Sequence, residues 1–463
     1  MHMWKRTAAV TTAIAFALLL LLEPAAPASA LTLPEGLKIV TEKGREVSIA
    51  RSDEESAREA VSLARSPWRP VVDLYARETW LQYQPMAKFG PNVVPTSQDQ
   101  FTTYGVRATQ VLYDFGKTSS SIAAAKEGVR SRESGTFRAR NHSAFEFITA
   151  YFDLLEAEDL LTVAQEEVGR YETHRKDAEA RLKAGVITKN EVLQADVVLA
   201  DSKQRLLTAE NARSLRTSRV NSLLLRPLND PVQATPPAGH PPLPATLEEA
   251  WQAAERENPD LRDLDARVRA KEAGVSSVRS EYLPTLYVSG GYEKSENEYL
   301  VHDSNWSFIA GININLMAGG ATDARIGMAK SELSSLQLTR DRVLDAVRLD
   351  TKAAWLEIQL SQQKIQVAEA AVAQADENLR LARLRFKEGV GTATDVTDAV
   401  TLLTTARTNV SRATYGQKRA EAALLAALGR DLTAEYGSNK ENAPVAAPSS
   451  SPTSSSSPTP GAK

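Results

Sequence analysis

The sequence predicts a mainly α-helical protein with a small transmembrane β part, duplicated so that each half carries two strands and a pair of long coiled-coil helices. Three observations lead there. The stretch RLKAGVITKNEVLQA, Arg181 to Ala195, returns as RFKEGVGTATDVTDA, Arg385 to Ala399, at the constant offset that separates Gly185 from Gly389. Apolar residues recur at heptad spacing ahead of both stretches. Short segments of period two interrupt the helical pattern once in each half.

In the repeated stretch, Arg181, Lys183, Gly185, Val186, Thr188, Val192 and Ala195 meet Arg385, Lys387, Gly389, Val390, Thr392, Val396 and Ala399, and Glu191 meets Asp395. A glycine ends one helix in each copy, and Thr188 or Thr392 can cap the next three residues later. Each copy therefore reads as a tight turn between two helices.

The chain has 463 residues, 42% hydrophobic and 24% charged, enough for a sizeable ordered structure. A net charge of −3, with basic residues spread along the helices, gives no reason to expect nucleic acid. Cysteine is absent, which excludes disulfides, thiolate metal sites, cysteine nucleophiles and an acylated N-terminal cysteine. Residues 1–30 read as a secretory signal: Lys5 and Arg6, an apolar run from Ala8 to Leu22, then Ala28-Ser29-Ala30 before Leu31. The apolar run falls short of the ~18 residues that an uncleaved spanning anchor needs.

Residues 31–226 form the first repeat and 246–433 the second. Leu33 to Pro70 aligns with Leu247 to Pro284, both helical in pattern and both ended by proline, which cannot continue a helix. After each proline the period changes to two. In the second repeat Trp306, Phe308, Ala310, Ile312, Ile314 and Leu316 share one face, and Ser307, Gly311, Asn313 and Asn315 the other, with Ile309 as an exception. Leu286, Val288 and Tyr292 alternate with Thr285, Ser289 and Glu293. In the first repeat Tyr104, Val106, Ala108 and Leu112 alternate with Thr103, Arg107 and Thr109, with Gln110 breaking the apolar face. The strand from Val71 to Tyr83 carries Glu78 on the face of Leu74 and Trp80, and Gln84 to Gln100 reads as a longer loop than its counterpart.

A long helix follows in each repeat. Leu344, Ile358, Ile365, Val372, Leu379 and Phe386 make one heptad ladder, and Val347, Ala354, Ser361, Ala368, Ala375 and Ala382 a second, smaller one. The first repeat keeps this register through Phe147, Leu154, Leu161, Val168 and Leu182, with Ser143, Ala150, Ala157, Ala164 and Ala178; Tyr171 and Arg175 interrupt it. From Lys117 to Gly185 a continuous helix would measure on the order of 100 Å. Residues 227–245, with Pro227, Pro231, Pro236, Pro237, Pro241, Pro242 and Pro244, read as a semi-rigid extended linker. Residues 434–463 read as a disordered Ser/Pro/Ala tail.

Strands of about ten residues, apolar on one face and polar on the other, fit a transmembrane barrel. They also fit a half-buried sheet of an exported coiled-coil scaffold or adhesin, the alternative reading. In lipid an open sheet edge is prohibitive, so the sheet must close, and four strands are too few. Several copies would then share one barrel, with the long helices continuing it as a tube.

The order helix, proline, two strands ending in Leu112-x-x-x-Gly116 or Leu316-x-x-x-Gly320, long helix, RxxxGxxT turn and returning helix, given twice behind a signal, resembles the TolC family of outer-membrane export channels. The resemblance covers roughly Leu31 to Leu432. It implies a homotrimer with a shared 12-stranded β-barrel in outer-membrane lipid and an α-helical barrel extending into the periplasm. It also implies docking to a periplasmic adaptor (membrane fusion protein) and an inner-membrane ABC or proton-driven pump, for efflux or type I secretion. By match to the family's turn motif, Gly185, Val186, Thr188, Gly389, Val390 and Thr392 would contact the adaptor.

The same match places Glu191, Phe386, Gly391, Asp395 and Asp398 at the periplasmic entrance. Asp395 and Asp398, three apart on one helical face, would contribute six carboxylates from three copies, able to attract cations and by mutual repulsion to raise their own pKa. The family closes its entrance partly through a tyrosine, an arginine and an acid. Here those positions hold Phe386, Gly391 and Glu191, so that lock cannot form in the same way. No catalytic constellation stands out: His2, His142, His174, His240 and His302 are scattered, no HExxH spacing occurs, and Gly319-Gly320 lies in no nucleotide-binding pattern. Neither an enzyme, a cofactor nor a metal site is expected.

Overall fold

The computed structural model describes residues 31–237 and 239–437. The expected signal, residues 1–30, and residues 438–463 of the expected tail lie outside them. Helices α1 (Leu33–Lys43) and α2 (Arg45–Ala64) lead into β1 (Val71–Trp80), a hairpin of β2 (Met86–Phe89) and β3 (Asn92–Pro95), and β4 (Gln100–Tyr113). Then come α3 (Lys117–Lys183) and α4 (Lys189–Leu223). The second repeat runs α5 (Leu247–Glu257), α6 (Pro259–Arg279), β5 (Thr285–Ser295), β6 (Ser304–Asn313), α7 (Ala321–Lys387) and α8 (Ala393–Leu428), followed by the short α9 (Leu432–Gly437).

Four details depart from the sequence reading. The single helix expected before each proline is two, broken at Gly44 and at Asn258, which occupy the same place in the two repeats. Asn258 caps α6 by accepting from Asp260 N–H at 2.9 Å, with Pro259 at the first helical position where its missing donor costs nothing. The segment Gln84 to Gln100 is not merely a loop: Met86–Phe89 pairs with Asn92–Pro95 across a two-residue turn. Gly90 there takes φ +59°, a positive value suited to the first central position of such a turn. Finally, β6 stops at Asn313 rather than continuing to Leu316, and α9 reaches four residues, 434–437, into the stretch read as tail.

The sheet is antiparallel in the order β1-β4-β5-β6, so the two repeats meet at β4 and β5. Register aligns the apolar positions in rows. Leu74, Val106, Tyr292 and Trp306 form one, and Val72, Ala108, Gly290 and Phe308 the next. Glu78, the exception on this face, sits at the end of the sheet away from the helices and accepts from Gln100 Nε2 at 3.1 Å and from the Thr102 hydroxyl. Gln110 lies at the helix-bearing end beside the register shift between Val111 and Tyr113.

Helices α3 and α7 each contain 67 residues, about 100 Å at 1.5 Å per residue. Most ladder positions are buried, Val347, Ile358, Ser361, Ala368, Leu379, Ala382 and Phe386 in α7 and Ser143, Phe147, Ala150, Leu154, Ala157, Ala164, Val168 and Ala178 in α3, whereas Leu344, Ala354, Ile365, Val372 and Ala375 of α7 and Leu161 and Leu182 of α3 are half-buried. Packing is spread along the rods in separate clusters. The largest gathers Leu33, Leu37 and Val40 of α1 around Phe147, Tyr151 and Leu154 of α3, with Leu425 of α8 and Leu432 of α9.

The proline-rich segment is strapped to this cluster. Leu31 N–H donates to Gln233 O at 2.8 Å, and the buried Tyr151 hydroxyl lies 2.8 Å from Leu31 O and 2.7 Å from Thr235 O while accepting from Thr235 N–H at 2.9 Å. Burial pushes this phenol up to about 12, keeping it a neutral donor. Tyr151→Phe leaves those backbone groups without their partner and should cost about 1–3 kcal/mol, measured as a lowered denaturation midpoint at unchanged slope.

Candidate functional site

Two surfaces stand out, one at each end of the long helices. At the sheet, the apolar face is uncovered: Leu74 is 82% exposed, Trp306 79% and Phe308 78%. Leaving such a face in water forfeits roughly 25 cal/mol for each Å² that lipid could cover. Ten-residue strands tilted as in a barrel span about 25 Å, the height of an outer-membrane apolar band. Exposed aromatic residues mark both limits, Trp68, Tyr113 and Tyr282 at the helix-bearing end and Trp80, Tyr83 and Tyr299 at the other. The opposite face is polar, with Tyr75 donating to Glu293 at 2.6 Å and the Arg107 guanidinium 5.6 Å from the Tyr75 ring centre. Among the described residues no helix is long and apolar enough to cross a membrane.

At the far end the two helix turns are built alike. Gly185 and Gly389 take φ +74° and +77°, a left-handed conformation that side chains with a Cβ resist. In the first turn Val186 N–H reaches Arg181 O at 3.0 Å and Gly185 N–H reaches Leu182 O at 3.0 Å; in the second, Val390 reaches Arg385 O at 3.0 Å and Gly389 reaches Phe386 O at 3.2 Å. This double bond pattern satisfies the last carbonyls of α3 and α7. Thr188 and Thr392 then cap α4 and α8. Thr392 Oγ1 accepts from Asp395 N–H at 3.2 Å, while Thr392 N–H donates to Asp395 Oδ2 at 2.9 Å, and Glu191 answers Thr188 in the same way at 3.4 Å.

Glu191 and Asp395 are thus capping-box acids. The spacing Thr-x-x-Glu and Thr-x-x-Asp carried that signal in the sequence. The hydrogen bonds from Thr392 hold the Asp395 carboxyl below its ordinary range, opposite in direction to the rise expected from a ring of like charges. In the single chain, Asp395 therefore stabilises the cap above its ordinary value, and this is lost as pH falls through the lower folded value. Asp398 is exposed one turn on, beside Asp395.

The exposed tips carry Val186 and Val390, and a groove of about 430 Å³ runs between α4 and α8, lined by Leu193, Val197, Ala393 and Thr397. Phe386 lies at the level of the tips but packed inside them, 4% exposed. Its ring contacts His174 at 5.4 Å between centroids, and the Arg181 guanidinium sits over it at 4.5 Å. Arg181 Nη2 also donates to the carbonyl of Lys387. One turn away the Tyr171 hydroxyl lies 3.1 Å from Thr401 Oγ1 and 3.4 Å from Thr397 O. These contacts tie the first hairpin to the second. Gly391 sits tightly here: a Cβ there would lie 3.0 Å from Arg385 Cβ and from Phe386 N.

Residues 40–224 and 250–430 match the sequence profile of the outer membrane efflux protein family. The chain belongs to this family. The match falls in two segments, one on either side of the proline-rich stretch, and membership places the protein in the outer membrane. The outer membrane efflux protein BepC of Brucella suis is 23% identical over 72% of this chain and 74% of its own length. The alkaline protease secretion protein AprF of Pseudomonas aeruginosa is 23% identical over 84% and 82%. Among solved structures, the outer membrane protein VceC of Vibrio cholerae superposes with a TM-score of 0.72 at 17% identity, over 86% of this chain and 96% of that one.

Proposed function

We propose that three copies of this outer membrane efflux protein close one twelve-stranded barrel in lipid and continue it as a helical tunnel into the periplasm. The tunnel is a passive exit for cargo, with no catalytic step of its own. The observation that carries this reading is the uncovered apolar face on a four-stranded sheet whose edges, β1 and β6, have no partner strand among the described residues. Three such sheets joined edge to edge leave no edge and give every outer residue lipid to face.

The hairpin tips then form the periplasmic entrance, closed by the Arg181–Phe386–Lys387 contacts in place of the tyrosine and arginine lock. Gly185, Val186, Thr188, Gly389, Val390 and Thr392 meet a periplasmic adaptor, which couples the tunnel to an inner-membrane pump. The names of BepC and AprF point to two kinds of cargo, effluxed compounds and a secreted protease, and both suit a tunnel whose selectivity lies in its partners.

Asp395 and Asp398 of three copies form a cation-attracting ring at the mouth. Substituting both with Ala should lower cation selectivity and weaken block by polyvalent cations in single-channel recordings. Identical selectivity and block in the double variant would remove the ring from the proposal.

A further inference from the structure

Away from both ends, Glu46 in the first turn of α2 faces His142 and Glu146, which stand four residues apart on α3. One side-chain ligand atom from each lies within 4.8 Å of the other two. We infer that Glu46, His142 and Glu146 form a site for a borderline divalent cation of the Zn²⁺ class, bridging α2 to α3. One imidazole nitrogen and two carboxylate oxygens are a donor set that Zn²⁺ accepts, with water completing the shell.

Tetrahedral Zn²⁺ at about 2.1 Å from each ligand sets the ligands about 3.4 Å apart. His142 Nδ1 and Glu46 Oε2 are already 3.2 Å apart. The remaining approach is within reach of these long side chains, which are 36–56% exposed. The helices beneath them are fixed, since Val47 and Phe147 are fully buried. Outer contacts aim the carboxylates: the Ser143 hydroxyl donates to Glu46 Oε2 at 3.3 Å, and Arg219 of α4 donates to Glu146 Oε1 at 3.3 Å.

The site is confined to the first repeat. The positions equivalent to His142 and Glu146 in α7 are Ala346 and Asp350, and the former offers no ligand. Binding should therefore saturate at one equivalent per chain, not two. The test is titration of chelator-stripped, detergent-solubilised protein with Zn²⁺ in competition with a chromogenic chelator. One equivalent per chain is expected, weakened at least about tenfold in Glu46→Gln and in His142→Ala, and unchanged in His302→Ala. Glu46→Gln keeps the side-chain shape, and helix content by circular dichroism verifies that both variants fold. Absence of stoichiometric binding, or binding that survives both substitutions, overturns the assignment.

Discussion

Replacing Phe386 with alanine should undock the two hairpin tips and leave the entrance open. The ring fills the contact between Tyr171, His174 and Arg181 of α3 and Val396 of α8, so its removal creates a cavity worth about 3–5 kcal/mol at that end of the molecule. Arg181→Ala removes only the cation–π contact and one hydrogen bond and should act in the same direction more weakly, by about 1–2 kcal/mol. In recordings from single channels, both variants should conduct more than the parent without a change in trimer yield. Parental conductance in Phe386→Ala would mean that the tips are held by something else.

Acidification should act on the same contact. Burial holds His174 below its ordinary value of 6.5, with Asp177 opposing and Arg383 adding to the shift. An undocked tip protonates this imidazole near 6.5 while the docked tip resists. Docking therefore weakens as pH falls from 6.5 toward the lower docked value, and His174→Leu should flatten the pH response of conductance in that window.

A lysine at Phe308 should keep the protein out of the membrane. Phe308 lies mid-sheet in the row with Val72, Ala108 and Gly290, where a lipid-facing cation costs about 2–4 kcal/mol. Three copies in one barrel multiply this to about 6–12 kcal/mol. The neighbouring Ser307→Lys points to the polar face and should be tolerated. Comparing the two in outer-membrane fractions, by trimer band on unheated gels, separates the lipid reading from a soluble sheet. Equal recovery of both variants would contradict a lipid-facing row.

Much of this was written locally in the chain. The repeated Gly185 and Gly389 turns, the heptad ladders and the alternation through Trp306 to Ile312 each depend on residues a few positions apart, and each appears where it was expected. Features that depend on distant partners were not legible. Nothing in residues 227–245 announces that Gln233 and Thr235 pair with Leu31, because Tyr151, which joins them, comes from the middle of α3. Met86 to Phe89 lacks alternation, and only its pairing makes it a strand.

The heptad ladder carries Phe386 as a core position, while the match to the family motif sets it at the entrance; in the structure its ring packs against His174 and Arg181. The charge of Asp395 is evident in the sequence, and its hydrogen bonds with Thr392 give it a structural duty as well. The Glu46 contact with His142 spans 96 positions and has no local signature.

The central claim, that this sheet closes into a lipid-embedded pore continuous with the helical tunnel, is tested most directly by adding purified protein to planar lipid bilayers. Discrete, long-lived conductance steps are predicted, carried by a trimer and favouring cations. Protein that remains folded in solution, yet produces no steps at any concentration that inserts a known outer-membrane channel, would contradict it.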